Sequence, residues 1–423
     1  MVTWGGIADD FTGATDLAGN WVARGLRTVV TLGVPDAADL AGITDADAVV
    51  IALKSRTAPV REAVRESLDA LAALRALGCT RYYQKYCSTF DSTPAGNIGP
   101  VTDALLAALD TDRAVVVPAF PDAGRTVYQG HLFVGDRLLS DSSMRHHPLT
   151  PMTRSDLPGL LGPQTSHGVA VVPLPVVRAG AAALGAELDR IAAETDTPVL
   201  LVVDAVENAD LAVIARATAH HPLVTGGSGL ALGLPATGEP AHAAMPVEDG
   251  HRVILAGSAS TATRAQIAHA RAAGVPARKL DLAALRADPD AEVDAIVAEV
   301  TAAWAAAPRT PFLVYAVGSQ DDIQRETAPD QTPAGELVEA ALADCARRLA
   351  DAGARQFIVA GGETSGSVVR ALDVRRLEIG PALAPGVSWA RATTADGLPF
   401  NLALKSGNFG ATDIFTDGWQ ALD

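Results

Sequence analysis

The residues that could do chemistry fall into two groups, one near each end of the chain. The first holds I-A-D-D-F-T-G-A-T-D (Ile7 to Asp16), K-S-R-T (Lys54 to Thr57) and K-Y-C-S-T-F-D-S-T-P-A-G-N-I-G-P (Lys85 to Pro100). These supply carboxylates, hydroxyls and three cations within short stretches. The second holds A-G-S-A-S-T (Ala256 to Thr261), A-G-G-E-T-S-G (Ala360 to Gly366) and L-K-S-G-N-F-G (Leu404 to Gly410). Glycine lets backbone approach an anion closely, and a helix N-terminus offers aligned N–H donors, so each group could hold a small anion. Two such groups are the layout of a two-domain transferase that brings two ligands face to face.

The elements that must position these residues are legible from periodicity. Ile7 to Asp16 reads as a strand end passing into a helix, with Phe11, Ala14, Leu17, Ala18, Trp21 and Val22 on one face. Thr12 is then placed at or near the N-cap, with Asp9, Asp10 and Asp16 gathered at the helix mouth; simple capping and dipole complementation are the competing explanation. Lys54 and Arg56 follow the apolar run Val49 to Leu53 and are expected on opposite sides of its end, with a solvated ion pair as the alternative. Val253 to Ala256 and Phe357 to Ala360 each run into a glycine turn and a helix, the first helix starting near Thr263. One strand-glycine-helix unit is weak evidence of phosphate binding, and two strengthen it.

Further strands are expected at 48–53, 114–118, 169–172, 199–203 and 312–317, with helices at 60–77 and 333–352. Runs that are apolar at nearly every position point to sheets covered on both faces. The class is therefore α/β, with two domains, each a largely parallel or mixed sheet flanked by helices, and an active site expected in the interdomain cleft. At 423 residues two domains are the natural division. Three prolines and two glycines without a sustained period between Leu234 and His251 mark a linker, taken as 236–250, between an N-terminal domain at 1–235 and a C-terminal domain at 251–423. Ser319 to Pro333 reads as a surface loop.

Composition excludes several classes. A formal charge of −16 argues against a nucleic-acid partner. Three cysteines without a C-x-x-C pair give no disulfide or zinc framework, which fits a reducing cytoplasm. No apolar run is long enough for a membrane span, so a cytoplasmic protein is expected. The motifs of P-loop NTPases, dinucleotide dehydrogenases, common serine hydrolases and zincins are missing.

In order along both halves, I-A-D-D-F-T-G-A-T-D, A-L-K-S-R-T, K-Y-C-S-T-F-D-S-T-P-A-G-N-I-G-P, T-G-G-S-G-L-A, A-G-S-A-S-T-A-T, A-G-G-E-T-S-G, G-P-A-L-A-P-G-V-S-W and L-K-S-G-N-F-G resemble the four-carbon acid sugar kinase family. The A-L-K-S-R-T and C-S-T-F-D-S-T wording is most similar to the branch acting on 3-oxo-tetronate. Relatives acting on threonate or erythronate more often carry an acid where Lys54 stands. The resemblance implies an N-terminal domain that holds the acid sugar and a C-terminal domain that holds ATP. Carried over, the nucleotide side draws on Ser258, Gly361, Gly362, Glu363, Thr364 and Gly407, and the substrate side on Lys54, Arg56, Lys85 and Ser88.

On that basis the expected reaction is transfer of the ATP γ-phosphoryl group to the C4 hydroxyl of 3-oxo-tetronate. Asp10 and Asp91 are the candidates for orienting and deprotonating that hydroxyl, and Mg²⁺ is expected to bridge the phosphates through ligands the sequence does not reveal. A kinase for threonate or erythronate, and a sensor of nucleotide or sugar acid without turnover, are the competing functions. A homodimer is an open expectation.

Overall fold

The computed structural model describes residues 2–422 apart from 44, 147–149, 239–244, 320–321 and 323–331. The chain divides into two compact units, residues 1–241 and 242–423. Between Gly233 and His251 the described residues form no regular element, and 239–244 of the expected linker lie outside the described residues. So does most of the expected Ser319 to Pro333 loop, of which Asp322 accepts from the Gly318 and Ser319 amides at 2.8 and 2.9 Å.

The first unit holds strands β1 (Trp4–Ala8), β2 (Thr28–Leu32), β3 (Ala48–Ala52), β4 (Arg81–Lys85), β5 (Arg113–Val117), β6 (Arg125–Tyr128), β7 (His131–Val134), β8 (Arg137–Leu138), β9 (Gly168–Val172), β10 (Val199–Val203) and β11 (Leu223–Gly226). Eight of them form a parallel sheet in the order β2-β3-β1-β4-β11-β5-β10-β9. β1, β3 and β10 are buried at every residue, as a sheet covered on both faces requires. β6, β7 and β8 make a separate antiparallel sheet for which the sequence gives no clear alternation.

Adjacent glycines in β1 show how the faces are covered. A methyl at Gly5 would strike Leu74 Cδ1 at 2.8 Å, and one at Gly6 would meet Leu17 Cδ2 at 3.1 Å. Successive residues of a strand point to opposite faces, so helix Val60–Ala76 packs on one side of β1 and helix Phe11–Ala23 on the other. The chain leaves β1 toward β2 over one face and crosses from β3 to β4 over the other. The C-terminal end of β1 is thus the point where the helices part and open a crevice, the place where ligands bind in open α/β sheets.

The second unit carries β12 (His251–Ala256), β13 (Ala277–Lys279), β14 (Phe312–Tyr315), β15 (Ala354–Ala360), β16 (Val374–Ala384), β17 (Val387–Thr394) and β18 (Pro399–Lys405). They pair in the order β13-β14-β12-β15-β18-β17-β16, parallel through β18 and antiparallel beyond it. Ile254, Ile358, Trp389, Ala403 and Phe415 belong to one buried cluster. Among the described residues no helix is long and apolar enough to cross a membrane.

Candidate active site

In the first unit, parallel register brings Ala8, Ala52, Lys85 and Gly226 level across four neighbouring strands. The segments that follow these residues therefore share one edge. The Asp9 carbonyl accepts from the Ser55 and Arg56 amides at 3.1 and 3.2 Å, and the Asp9 amide donates to Lys85 O at 3.0 Å. Backbone bonds thus fix Asp9, Arg56 and Lys85 around the crevice.

The N-cap of helix Phe11–Ala23 is Asp10, and not Thr12 as the sequence suggested. Asp10 has extended backbone (φ −150°), its Oδ1 accepts from Gly13 N at 2.9 Å, and its Oδ2 accepts from Thr12 Oγ1 at 3.1 Å. A carboxylate reaches the open N–H groups as well as a hydroxyl does, which lets the helix begin two residues earlier. Arg56 grips Asp9 with two parallel bonds, Nε to Oδ2 at 2.9 Å and Nη2 to Oδ1 at 2.8 Å. The same Nη2 is 3.0 Å from Asp10 Oδ1, and Nη1 is 3.8 Å from Asp91 Oδ2. Arg56 therefore turns inward as the hub of three acids, while Lys54 is exposed.

This clustering sets the protonation states. Burial pushes the Asp9 carboxyl above the ordinary range, more than Arg56 can pull it back. Burial also pushes Asp10 upward, but Arg56, Lys85 and the bonds from Thr12 and Gly13 outweigh it and hold Asp10 below the ordinary range. One acid of the pair is thus held as a carboxylate while its neighbour protonates more readily, the division of roles that acid–base chemistry exploits. Lys85 is buried, and its Nζ donates to Tyr86 O at 2.9 Å. A methyl on Gly13 would collide with Asp10 Oδ1 and stand 2.7 Å from Lys85 Nζ, so the helix backbone, this carboxylate and this ammonium are close neighbours.

The segment after β4 completes the cluster. Thr89 Oγ1 donates to Asp91 Oδ1 at 2.6 Å, and Phe90 between them adopts φ 54°, a left-handed conformation that costs a bulky residue on the order of 1 kcal/mol or more. Ser88 is buried against Gly227. Burial pushes the Cys87 thiol up to about 12, so it is no nucleophile at neutral pH. Asp9, Arg56, Lys85, Asp91, Ser92 and Asn97 line one small hollow.

In the second unit the ends of β12, β15 and β18 are level through Ala256, Ala360 and Lys405, which gathers three of the glycine segments. The Gly257 and Ser258 amides donate to Ala360 O at 3.0 and 3.1 Å, and Gly361 N donates to Lys405 O at 2.9 Å. Ser260 Oγ donates to Gly407 O at 2.5 Å, and Thr263 Oγ1 donates to the same carbonyl at 2.9 Å. Ser260 caps helix Thr261–Ala272, which begins two residues before the expected start. Gly407 lies so close to Ser258 that a methyl on it would collide with the Ser258 hydroxyl. Gly362, Glu363 and Thr364 form the first turn of helix Gly362–Ala371, with Gly362 and Glu363 exposed and Thr364 buried. The arrangement presents backbone N–H groups and small hydroxyls around one edge, suited to phosphate.

Gly361 is the residue on which this convergence turns. Its φ of 130° is open to glycine alone, and a methyl there would sit 2.8 Å from Thr364 Oγ1 and 3.3 Å from Ser258 N. Gly361→Ala is therefore expected to displace the Ser258 turn and weaken ATP binding at least tenfold while the far-ultraviolet circular dichroism spectrum is kept. Unchanged affinity in calorimetry would remove Gly361 from the site.

Comparison with known proteins meets this geometry from outside. A sugar-binding N-terminal domain family matches residues 4–234, and a nucleotide-binding C-terminal domain family matches residues 253–415. A protein of Cupriavidus necator named 3-oxo-tetronate kinase is 50% identical over 99% of this chain and 96% of its own length. One of the same name from Salmonella typhimurium is 43% identical over 98% of each chain. The chain belongs to the four-carbon acid sugar kinase family. Among solved structures, a Salmonella typhimurium protein aligns with TM-score 0.86 at 43% identity over 99% of both chains, and a Haemophilus influenzae protein with TM-score 0.76 at 40% identity over 99% of this chain and 98% of its own.

Several contacts around this crevice carry no signal in the sequence, even where, as with Asp16, the residue itself does. Asp16 is buried, its Oδ2 accepts from Ser228 Oγ at 2.5 Å, and its Oδ1 has no protein partner. Burial pushes its carboxyl upward against the pull of Lys85 and Ser228. Asn97 fixes the 55–58 turn by donating to Ser55 O at 2.7 Å and Ala58 O at 2.8 Å. The T-G-G-S-G motif contains Ser228, but only the fold brings it to Asp16, 212 positions away.

Proposed function

We propose that this protein is an ATP-dependent kinase that transfers the γ-phosphoryl group to the C4 hydroxyl of 3-oxo-tetronate, giving 3-oxo-tetronate 4-phosphate and ADP. The observation that carries this reading is 50% identity along almost the whole chain to a relative named for that activity. The first unit binds the acid sugar and the second binds ATP. Asp10 and Asp91 orient the C4 hydroxyl; its oxygen bonds to Pγ, the bond from Pγ to the β,γ-bridging oxygen breaks, and the hydroxyl proton passes to a carboxylate. Phosphoryl transfer has a loose transition state, so the proton leaves late and a carboxylate held as an anion by Arg56 and Lys85 is a sufficient acceptor. Arg56 and Lys85 offset the negative charge brought by the substrate carboxylate, and the Ser88 hydroxyl is available to a substrate hydroxyl.

The expected magnesium ion does not fit a resident protein cage, because no group of three His, Cys, Asp or Glu among the described residues could hold a metal. That donor set suits an ion that enters on the phosphates of ATP and keeps most of its water.

Two measurements test the reading. In a coupled ADP-release assay over 3-oxo-tetronate, threonate and erythronate, the highest kcat/KM is expected on 3-oxo-tetronate; a higher value on either hydroxy acid would overturn the substrate assignment. Exposed Lys54 is proposed to donate to the 3-oxo group, which accepts from an ammonium and not from a carboxylate. Lys54→Glu is accordingly expected to lower kcat/KM on 3-oxo-tetronate by roughly tenfold to a hundredfold, the worth of one charge-assisted contact, and to affect threonate less. Equal losses on both would end that role.

A further inference from the structure

Lys405 is the last residue of β18 and has no exposed surface. Its Nζ donates to Thr263 Oγ1 at 3.1 Å and approaches Gly407 O at 3.4 Å. Both are neutral oxygens, and no carboxylate pairs with it. The charged side chains of the surrounding elements include Arg355 on β15, Arg391 on β17, Arg264, His269 and Arg271 on helix Thr261–Ala272, Glu363 and Arg370 on helix Gly362–Ala371, and Asp413 and Asp417 near the C-terminus. Among the described residues none of them pairs with the ammonium, which lies 5.9 Å from the Phe415 ring centroid. A buried ammonium without a counter-charge is expensive, and a methionine would fill the same space without that cost.

Its surroundings indicate what the charge is for. The Gly407 carbonyl that it approaches also receives Ser260 and Thr263, and Gly407 abuts Ser258, so Lys405 lies beneath the point where the three glycine segments of the second unit converge. We propose that Lys405 is a positioning residue for the nucleotide: its charge balances that of phosphates docked on this loop cluster while its bonds hold the Gly407 turn. The inference rests on the assignment of ATP to the second unit. Burial supports it by lowering the unliganded lysine to about 7, where an incoming anion changes its proton occupancy.

The test is calorimetry of ATP binding to the full-length protein in buffers of different ionisation enthalpy, which counts protons taken up. Wild type is expected to take up more protons per nucleotide than Lys405→Met, by an excess that grows from pH 6 to pH 8. Lys405→Met is expected to bind ATP roughly tenfold to a hundredfold more weakly and to leave adenosine affinity unchanged. Should that variant not fold, net proton uptake by wild type at pH 8, where ATP has no phosphate proton left to release, still supports the proposal. ATP binding by wild type without such uptake would overturn it and leave the nucleotide assignment standing. Failure of wild type to bind ATP at all would end both.

Discussion

Asp10→Asn is expected to lower kcat by a factor on the order of 10² to 10⁴ while leaving the fold in place. The substitution separates the observed cap role of Asp10 from the catalytic role proposed for it. As an N-cap it needs one oxygen to accept from Gly13 N, and asparagine supplies that as well as aspartate does. As a partner for the substrate hydroxyl it needs a negative charge, which asparagine lacks. The folded-state pKa of Asp10 lies below the ordinary 3.8, so its ionisation contributes stability that is present above pH 3.8 and is lost as pH falls through the folded value. The stability difference between wild type and Asp10→Asn should therefore be constant at neutral pH and vanish in strong acid. Steady-state kinetics and urea denaturation provide the check. An Asp10→Asn enzyme with near wild-type kcat would show that Asp10 is a helix cap alone.

How far the sequence reaches can be judged from the same residues. The A-D-D-F-T-G motif marks a strand end entering a helix, and hydrophobic periodicity places that helix correctly. The cap residue itself is misplaced, because serine, threonine and aspartate all serve there and only backbone angles separate them. Lys54 and Arg56 do differ, Lys54 exposed and Arg56 turned inward, but alternation is not the reason, since it would put residues two positions apart on one face; β3 ends at Ala52 and both lie beyond it. What alternation does not carry is that the Arg56 fork closes on Asp9, 47 positions earlier in the chain. Parallel register decides that pairing, and register is a property of the sheet. Lys405 shows the other limit. It stands inside a recognisable motif, yet its burial without a counter-charge depends on β15, β18 and two helices packing together, which no local pattern announces.

Arg56→Ala should cost both activity and about 3 kcal/mol of stability at neutral pH, toward the lower end for breaking a buried ion pair because the side chain retains some exposure. Its guanidinium meets Asp9 through two bonds, lies 3.0 Å from Asp10 and approaches Asp91 at 3.8 Å. Removing it leaves Asp9 and Asp10 with Lys85 but without their larger positive neighbour, and their folded-state pKa values must rise. A carboxyl raised above its unfolded value contributes stability below the unfolded pKa that is lost as pH rises through the folded value. The deficit of Arg56→Ala should accordingly be largest near pH 7 and shrink toward pH 4, where the carboxyls can protonate at little cost. Adding Asp9→Asn should recover part of the loss, since Asp9 already resists ionisation through burial and has the most to gain from neutrality. Activity should not return with it, because the charge that holds Asp10 anionic would still be missing. Urea denaturation at pH 7 and pH 4.5 on the single and double variants, run beside the kinetic assay, decides the matter. A deficit equal at both pH values would mean that Arg56 acts through packing, and that the ionic network does not set the chemistry of Asp10.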